Sequence, residues 1–259
     1  MPTSSLFPPV LPEPSPGAWV TLNTGLVPLR CWWAPTSSVK PATRAVIVLP
    51  EIFGLNGWVR GVADRLSAAG VPALAMPLFA RTAPELALGY DPEATREGRR
   101  HKEATKTEEI LADVQASIDW LREALETRNQ PLRITVVGFC FGGHAALLAA
   151  TLTDVDVSLD FYGAGVSRGR PGGGAPSLEL LPGVQGELHC LCGSIDPLIP
   201  SSEQQAIQAA LQRVDPTGLR LRYSAFEGAD HGFMCEARDQ YHQASADEGW
   251  RLLLEAAQS

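Results

Sequence analysis

An alternation constrains this chain more than any other feature. Short apolar runs rich in β-branched residues, too short for helices, are separated by longer stretches whose apolar residues recur at three- and four-residue spacing. Strands are predicted over 45–49 (AVIVL), 71–75 (VPALA), 134–137 (ITVV), 155–161 (VDVSLDF), 188–192 (LHCLC) and 219–224 (LRLRYS). Helices are predicted over 58–69, 108–126, 143–150, 203–212 and about 244–256. Strands joined through helices run parallel and need helices on both faces to cover them, so the fold class is α/β with a mostly parallel central sheet. The segments 19–22 and 26–32 have no helix between them and predict an antiparallel N-terminal hairpin at the edge. Open sheets of this kind bind ligands beyond the carboxyl ends of their strands, so function is sought in the residues just after each strand.

A chain of 259 residues fits one such unit, and a single domain is expected over 18–259. Residues 1–17 carry Pro2, Pro8, Pro9, Pro12, Pro14 and Pro16, without the basic and apolar regions of a signal peptide, and predict an extended arm. The stretch RGRPGGGAP at 168–176 reads as a surface loop; no Gly-Lys-Ser/Thr follows it, as a phosphate cradle requires. Twenty-one basic against twenty-nine acidic residues leave a net charge of −8, which argues against nucleic acid as a partner. No apolar run approaches the roughly 18 residues of a membrane span, so no membrane partner is expected. Five cysteines, an odd number, imply reduced thiols and a cytoplasmic location, and the lack of heptads implies a monomer.

The strand at 134–137 runs straight into Gly138-Phe139-Cys140-Phe141-Gly142-Gly143, and a helical segment follows at once. This is the glycine-flanked spacing of a nucleophile elbow, in which a sharp strand-to-helix turn leaves no room for side chains on either side of the nucleophile. Cys140 at a helix N-terminus would feel a dipole that favours its thiolate, and the Phe141 amide would be free to hold an oxyanion. A nucleophile needs a base and the base an orienter. His231, in GADHGF, follows the last strand, and Asp196, in GSIDPLIP, follows the one before it. The order Cys140, Asp196, His231 is that of a nucleophile–acid–histidine triad on such a sheet. Asp230 competes for the acid role, but neighbouring loop residues seldom bring their side chains into register, which favours Asp196.

His144 opens the elbow helix and points into packing or the rim; His101, His189 and His242 lie in polar or strand contexts. His189, Cys190, Cys192, His231 and Cys235 include residue types that bind zinc. Cys190 and Cys192 nevertheless lie two apart on a strand, with no C-x-x-C pair, so they read as core thiols together with Cys31 and Cys235, and no metal is expected. Glu51 directly follows the strand at 45–49, where an oxyanion amide is usually supplied. A negative side chain there hinders acyl transfer unless it has its own task, either taking the Cys140 proton or holding a group that closes the site.

Four segments in order, LPEIFGLN (49–56), VGFCFGG (137–143), GSIDPLIP (193–200) and GADHGF (228–233), resemble the dienelactone hydrolase family over 26 to the C-terminus. The resemblance implies an α/β-hydrolase fold and cleavage of a small lactone or carboxylic ester through a thioester on Cys140, with no cofactor or metal. It implies that Glu51 pairs with the resting thiol until substrate binding reorients it to take the proton. It further implies that the amides of Ile52 and Phe141 hold the oxyanion and that His231, oriented by Asp196, supports turnover. Family members bind a substrate carboxylate with two arginines. This chain offers Arg81 for the first, with Arg96, Arg99 and Arg100 nearby. For the second, Cys235 stands where an arginine is expected and Arg238 follows three residues later. A broad carboxylesterase or thioesterase, a non-catalytic binder of a small ligand and a thiol redox sensor are the competing expectations.

Overall fold

The computed structural model describes residues 17–25, 27–36, 42–127 and 131–259. Apart from Gly17, the expected proline-rich arm lies outside the described residues, as does Leu26 of the expected hairpin. An eight-stranded sheet has the order β1(Ala18–Leu22), β2(Leu29–Ala34), β4(Ala73–Ala75), β3(Arg44–Leu49), β5(Arg133–Phe139), β6(Val157–Phe161), β7(Glu187–Gly193), β8(Leu221–Phe226). The first two strands form the expected antiparallel hairpin, β2 pairs antiparallel with β4, and the remaining pairings are parallel.

The period-two direction of strand side chains divides the core into two layers. Val46 and Val48 of β3 and Val137 and Phe139 of β5 face one layer, while Ile47, Leu49, Ile134 and Val136 face the other. Both layers are covered by helices: α1(Gly57–Ala68), α3(Thr107–Ala124), α4(Phe141–Ala149), α5(Ser201–Val214) and α6(Gln243–Gln258) all lie where apolar periodicity predicts them. Asn56 caps α1, its Oδ1 accepting from the Val59 amide at 3.3 Å.

One helix was not anticipated. The helix α2(Pro92–Ala104) buries only Ala94 and Gly98 and is charged over most of its surface, so it has no apolar stripe for periodicity to reveal. Its start is nevertheless encoded locally: Asp91 Oδ1 accepts from the amides of Glu93 and Ala94 at 2.8 and 2.9 Å, and Pro92 fills the first helical position. The last strand also begins later than the sequence predicts. Asp215 gathers the amides of Thr217, Arg220 and Leu221 into a turn, which holds 215–220 out of the sheet and leaves Leu219 exposed. The glycine-rich 168–176 segment is a loop, in which the Pro171 carbonyl accepts from the Thr107 amide at the start of α3.

Candidate active site

Six strands, β3 to β8, run parallel and end on one edge, and polar or reactive residues follow five of them within a few positions. Glu51 and Ile52 follow β3, Cys140 follows β5, Tyr162 follows β6, Asp196 follows β7 and His231 follows β8. Cys140 is half-buried, has φ 56° and caps the N-terminus of α4. Such a left-handed conformation is uncommon outside glycine and marks the raised apex of an elbow. The crowding that the glycines relieve is visible. A Cβ on Gly138 would lie 1.8 Å from the Gly142 carbonyl oxygen, and one on Gly142 would lie 2.4 Å from the Leu49 oxygen and 2.5 Å from that of Pro50. The close approach at Gly142 sets the elbow against the segment that carries Glu51 and Ile52. The Phe141 amide opens α4 and has no partner within the helix, and the Ile52 amide makes no backbone hydrogen bond among the described residues.

His231 and Asp196 are both buried, and Nδ1 of His231 bonds Oδ2 of Asp196 at 2.8 Å. Oδ1 of the same carboxylate accepts from the Leu198 amide at 2.7 Å, so the acid is held from two sides. Burial by itself lowers the pKa of His231. Cys140 and the hydrogen-bonded carboxylate of Asp196 beside the ring outweigh it and raise the imidazole to about 10. Its Nε2 is buried without a hydrogen bond and faces the neighbourhood of the thiol. Asp230 accepts from the backbone amide of His231 and not from its ring, which assigns the orienting contact to Asp196.

Glu51 is 1% exposed, and its Oε1 accepts from Arg238 Nη1 at 2.7 Å. Burial pushes its carboxyl upward, against the pull of the Arg238 and His231 charges. The pairing of Glu51 with Cys140 implied by the resemblance is not formed; Arg238 holds the carboxylate instead. The guanidinium of Arg238 stands 5.9 Å from the ring centroids of Phe53 and Tyr90, and it packs over Gly232, where a Cβ would meet its Nη1 at 2.5 Å. Arg81 lies elsewhere in the contact network. It forks onto Asp113 of α3 at 2.6 and 3.0 Å, with Glu109 at 3.6 Å, so a substrate role would require breaking a bidentate bridge.

Tyr162, Tyr90 and Asn56 are site neighbours for which sequence reasoning gave no role. Tyr162 is fully buried with its ring edge-on to His231 at 5.2 Å. Its place directly after a strand was the available signal, obscured by its likeness to a core aromatic. Cys235 is more than a core thiol: its Sγ donates to Tyr90 Oη at 3.3 Å, and the same hydroxyl accepts from Asn56 Nδ2 at 3.0 Å. The remaining histidines bond away from the triad, His144 to the Ala164 carbonyl and Ser177, His189 to Ser224, His101 to Thr82 and His242 to Ser245. Among the described residues no three His, Cys, Asp or Glu side chains converge as a metal site needs.

The model of the dienelactone hydrolase family matches residues 33–258, nearly the whole described chain. The chain belongs to the dienelactone hydrolase family. It is a hydrolase of lactones or esters. A Synechocystis sp. protein provisionally named carboxymethylenebutenolidase is 35% identical over 214 residues, 83% of this chain and 85% of the relative. The carboxymethylenebutenolidase of Pseudomonas putida is 28% identical over 81% of this chain and 83% of its own length. A Klebsiella pneumoniae crystal structure provisionally named dienelactone hydrolase superposes with a TM-score of 0.81 at 21% identity, over 94% of this chain and 98% of that one. This last likeness establishes the shared α/β-hydrolase fold.

Proposed function

We propose that this dienelactone hydrolase family member cleaves a small lactone or carboxylic ester by transferring the acyl group to Cys140 and then to water. One observation carries the reading: Cys140 sits in left-handed elbow backbone beside a buried His231 whose Nδ1 is fixed by Asp196 at 2.8 Å. The Cys140 sulfur attacks the carbonyl carbon, and the amides of Phe141 and Ile52 take the developing oxyanion. The carbon–oxygen bond breaks, His231 gives its proton to the departing oxygen, and a thioester remains. Water then loses a proton to His231 and attacks the thioester, the carbon–sulfur bond breaks, and the released thiolate takes back its proton from Glu51. The hydrogen bond to Asp196 keeps Nε2 directed at the reacting atoms throughout.

Glu51 and Arg238 set the substrate class. Arg238 spends its charge on Glu51 in the resting site, yet its side chain is 15% exposed and open to a competing anion. A carboxylate on the substrate takes the guanidinium, and Glu51, released, accepts the thiol proton. Arg238→Ala is therefore expected to lower kcat/KM about tenfold more for dienelactone than for p-nitrophenyl acetate, as loss of a charge-assisted contact made by one substrate only. Arg81→Ala is expected to leave that ratio unchanged while destabilising the fold by about 3 kcal/mol, because Asp113 stays buried without its cation. Rates on both substrates and thermal melts of both variants check the pair. The direct test of the mechanism is mass spectrometry of wild-type enzyme quenched during turnover; an acyl adduct mapped to Cys140 supports it, and an adduct on another residue refutes it. The five cysteines are free thiols, and we place the enzyme in the reducing cytoplasm.

A further inference from the structure

Three buried polar atoms around Cys140 make no hydrogen bond: Nε2 of His231, Oε2 of Glu51 and Oη of Tyr162. The first is the working nitrogen of the triad. The other two are an unused acceptor and an unused donor in the same buried region. Tyr162 is held with little freedom, its ring edge-on to His231 at 5.2 Å and to Phe233 at 5.1 Å and tilted against Phe139 at 6.1 Å. Its backbone has φ 43°, a costly conformation for a bulky residue, and its amide is tied to the Leu191 carbonyl at 2.8 Å. His231 and Phe233, against which the ring packs, bracket Gly232, over which the Arg238 guanidinium lies, so Tyr162 shares the buried region of the Glu51–Arg238 pair. A hydroxyl buried this deeply and left unpaired carries a desolvation cost that packing alone does not require, since phenylalanine would fill the same space.

We propose that Tyr162 is the positioning residue for Glu51, its hydroxyl donating to Oε2 once the carboxylate turns away from Arg238, so that the phenol takes over from the guanidinium and keeps Glu51 aimed at Cys140. This rests on the reading that Glu51 takes the thiol proton. The groups facing Glu51 are Arg238, Cys235 and His231 from the segment after β8, Tyr90 from the segment before α2, and Tyr162 from the end of β6. The Tyr90 oxygen accepts from Asn56 and Cys235, which fix its hydroxyl toward their side of the site. That of Tyr162 is engaged by nothing among the described residues.

Tyr162→Phe keeps the ring and removes only the hydroxyl. The expected Tm is unchanged or higher, because an unpaired buried polar group is removed. Loss of a donor to the ionised carboxylate raises the pKa of Glu51 in the substrate-bound site, so the acidic limb of the kcat–pH profile moves upward by about one unit, with about a tenfold loss on its acid side. In a Glu51→Gln background the same substitution is expected to cost nothing further. A readout free of turnover is the carbon-13 carboxyl titration of Glu51 in glutamate-labelled Arg238→Ala protein, where the carboxylate is free of its guanidinium, assigned by its absence in Glu51→Gln and expected to shift upward when Tyr162→Phe is added. A Tm lowered by several degrees with an unmoved titration would assign Tyr162 to packing and overturn the proposal, as would a rate loss that persists in Glu51→Gln. Should the wild type hydrolyse neither ester nor lactone, the functional reading fails, while the titration still decides whether Tyr162 holds Glu51.

Discussion

Cys140→Ala is expected to lose about four orders of magnitude or more in kcat on any substrate the wild type turns over, with no acyl adduct after quenching. The size of the effect follows from what the sulfur supplies. With Cys140 gone, no covalent intermediate divides the reaction, and His231 has no nucleophile to serve, so the triad fails as a unit. What survives is the pair of proposed oxyanion amides, Ile52 and Phe141, expected still to polarise a bound carbonyl for attack by water. The fold should hardly notice the change: Cys140 is half-buried, and alanine in the same left-handed backbone bears a strain similar to that of cysteine. Melts of the variant within a few degrees of wild type, together with the lost rate, separate a chemical role from a structural one. An unchanged rate would remove Cys140 from the mechanism and bring forward the ligand-binding and redox alternatives.

Asp196→Asn is expected to cost about three to four orders of magnitude in kcat, on the precedent of serine triads in which the acid is replaced. Asparagine can keep the bond to the Leu198 amide, so the loop is preserved. It removes the negative charge beside Nδ1 and can present an amide donor in its place, which favours the wrong imidazole tautomer. The same substitution has a signature in stability. In the folded protein His231 is raised to about 10, above the ordinary histidine value of 6.5. A raised folded pKa means that the stabilisation is fully present below about 6.5 and is lost as pH climbs toward 10. Wild-type Tm is therefore expected to fall between pH 7 and pH 10 more steeply than that of Asp196→Asn. Buried thiols such as Cys190 and Cys192 are pushed up by desolvation and add to the alkaline loss in both proteins, so the difference between the two curves isolates the His231–Asp196 pair. Parallel curves would show that the charge on Asp196 does not hold the imidazolium.

Most of the framework was legible from the chain because its causes are local. Glycines at 138 and 142 are required wherever a strand turns sharply into a helix against a neighbouring loop, so the elbow around Cys140 could be read without coordinates. Asp196 and His231 could be located by a topological rule, since a parallel sheet gathers its strand ends on one edge. Helix α2 was missed for the complementary reason: its polar surface carries no periodic signal, although Asp91 and Pro92 mark its start.

By itself, then, the sequence determined the α/β class, the strands, the elbow and the placing of Cys140, Asp196 and His231 in that order after their strands, all of which follow from backbone sterics and apolar periodicity. Only the tertiary structure decided which carboxylate reaches the imidazole, that Arg238 and not Cys140 holds Glu51, that Arg81 serves Asp113, and that Tyr162 lies unpaired beneath the site. Glu51 and Arg238 are 187 positions apart in the chain. Whether such side chains meet depends on the register of strands between them and on rotamers set by packing, and neither is encoded in local spacing.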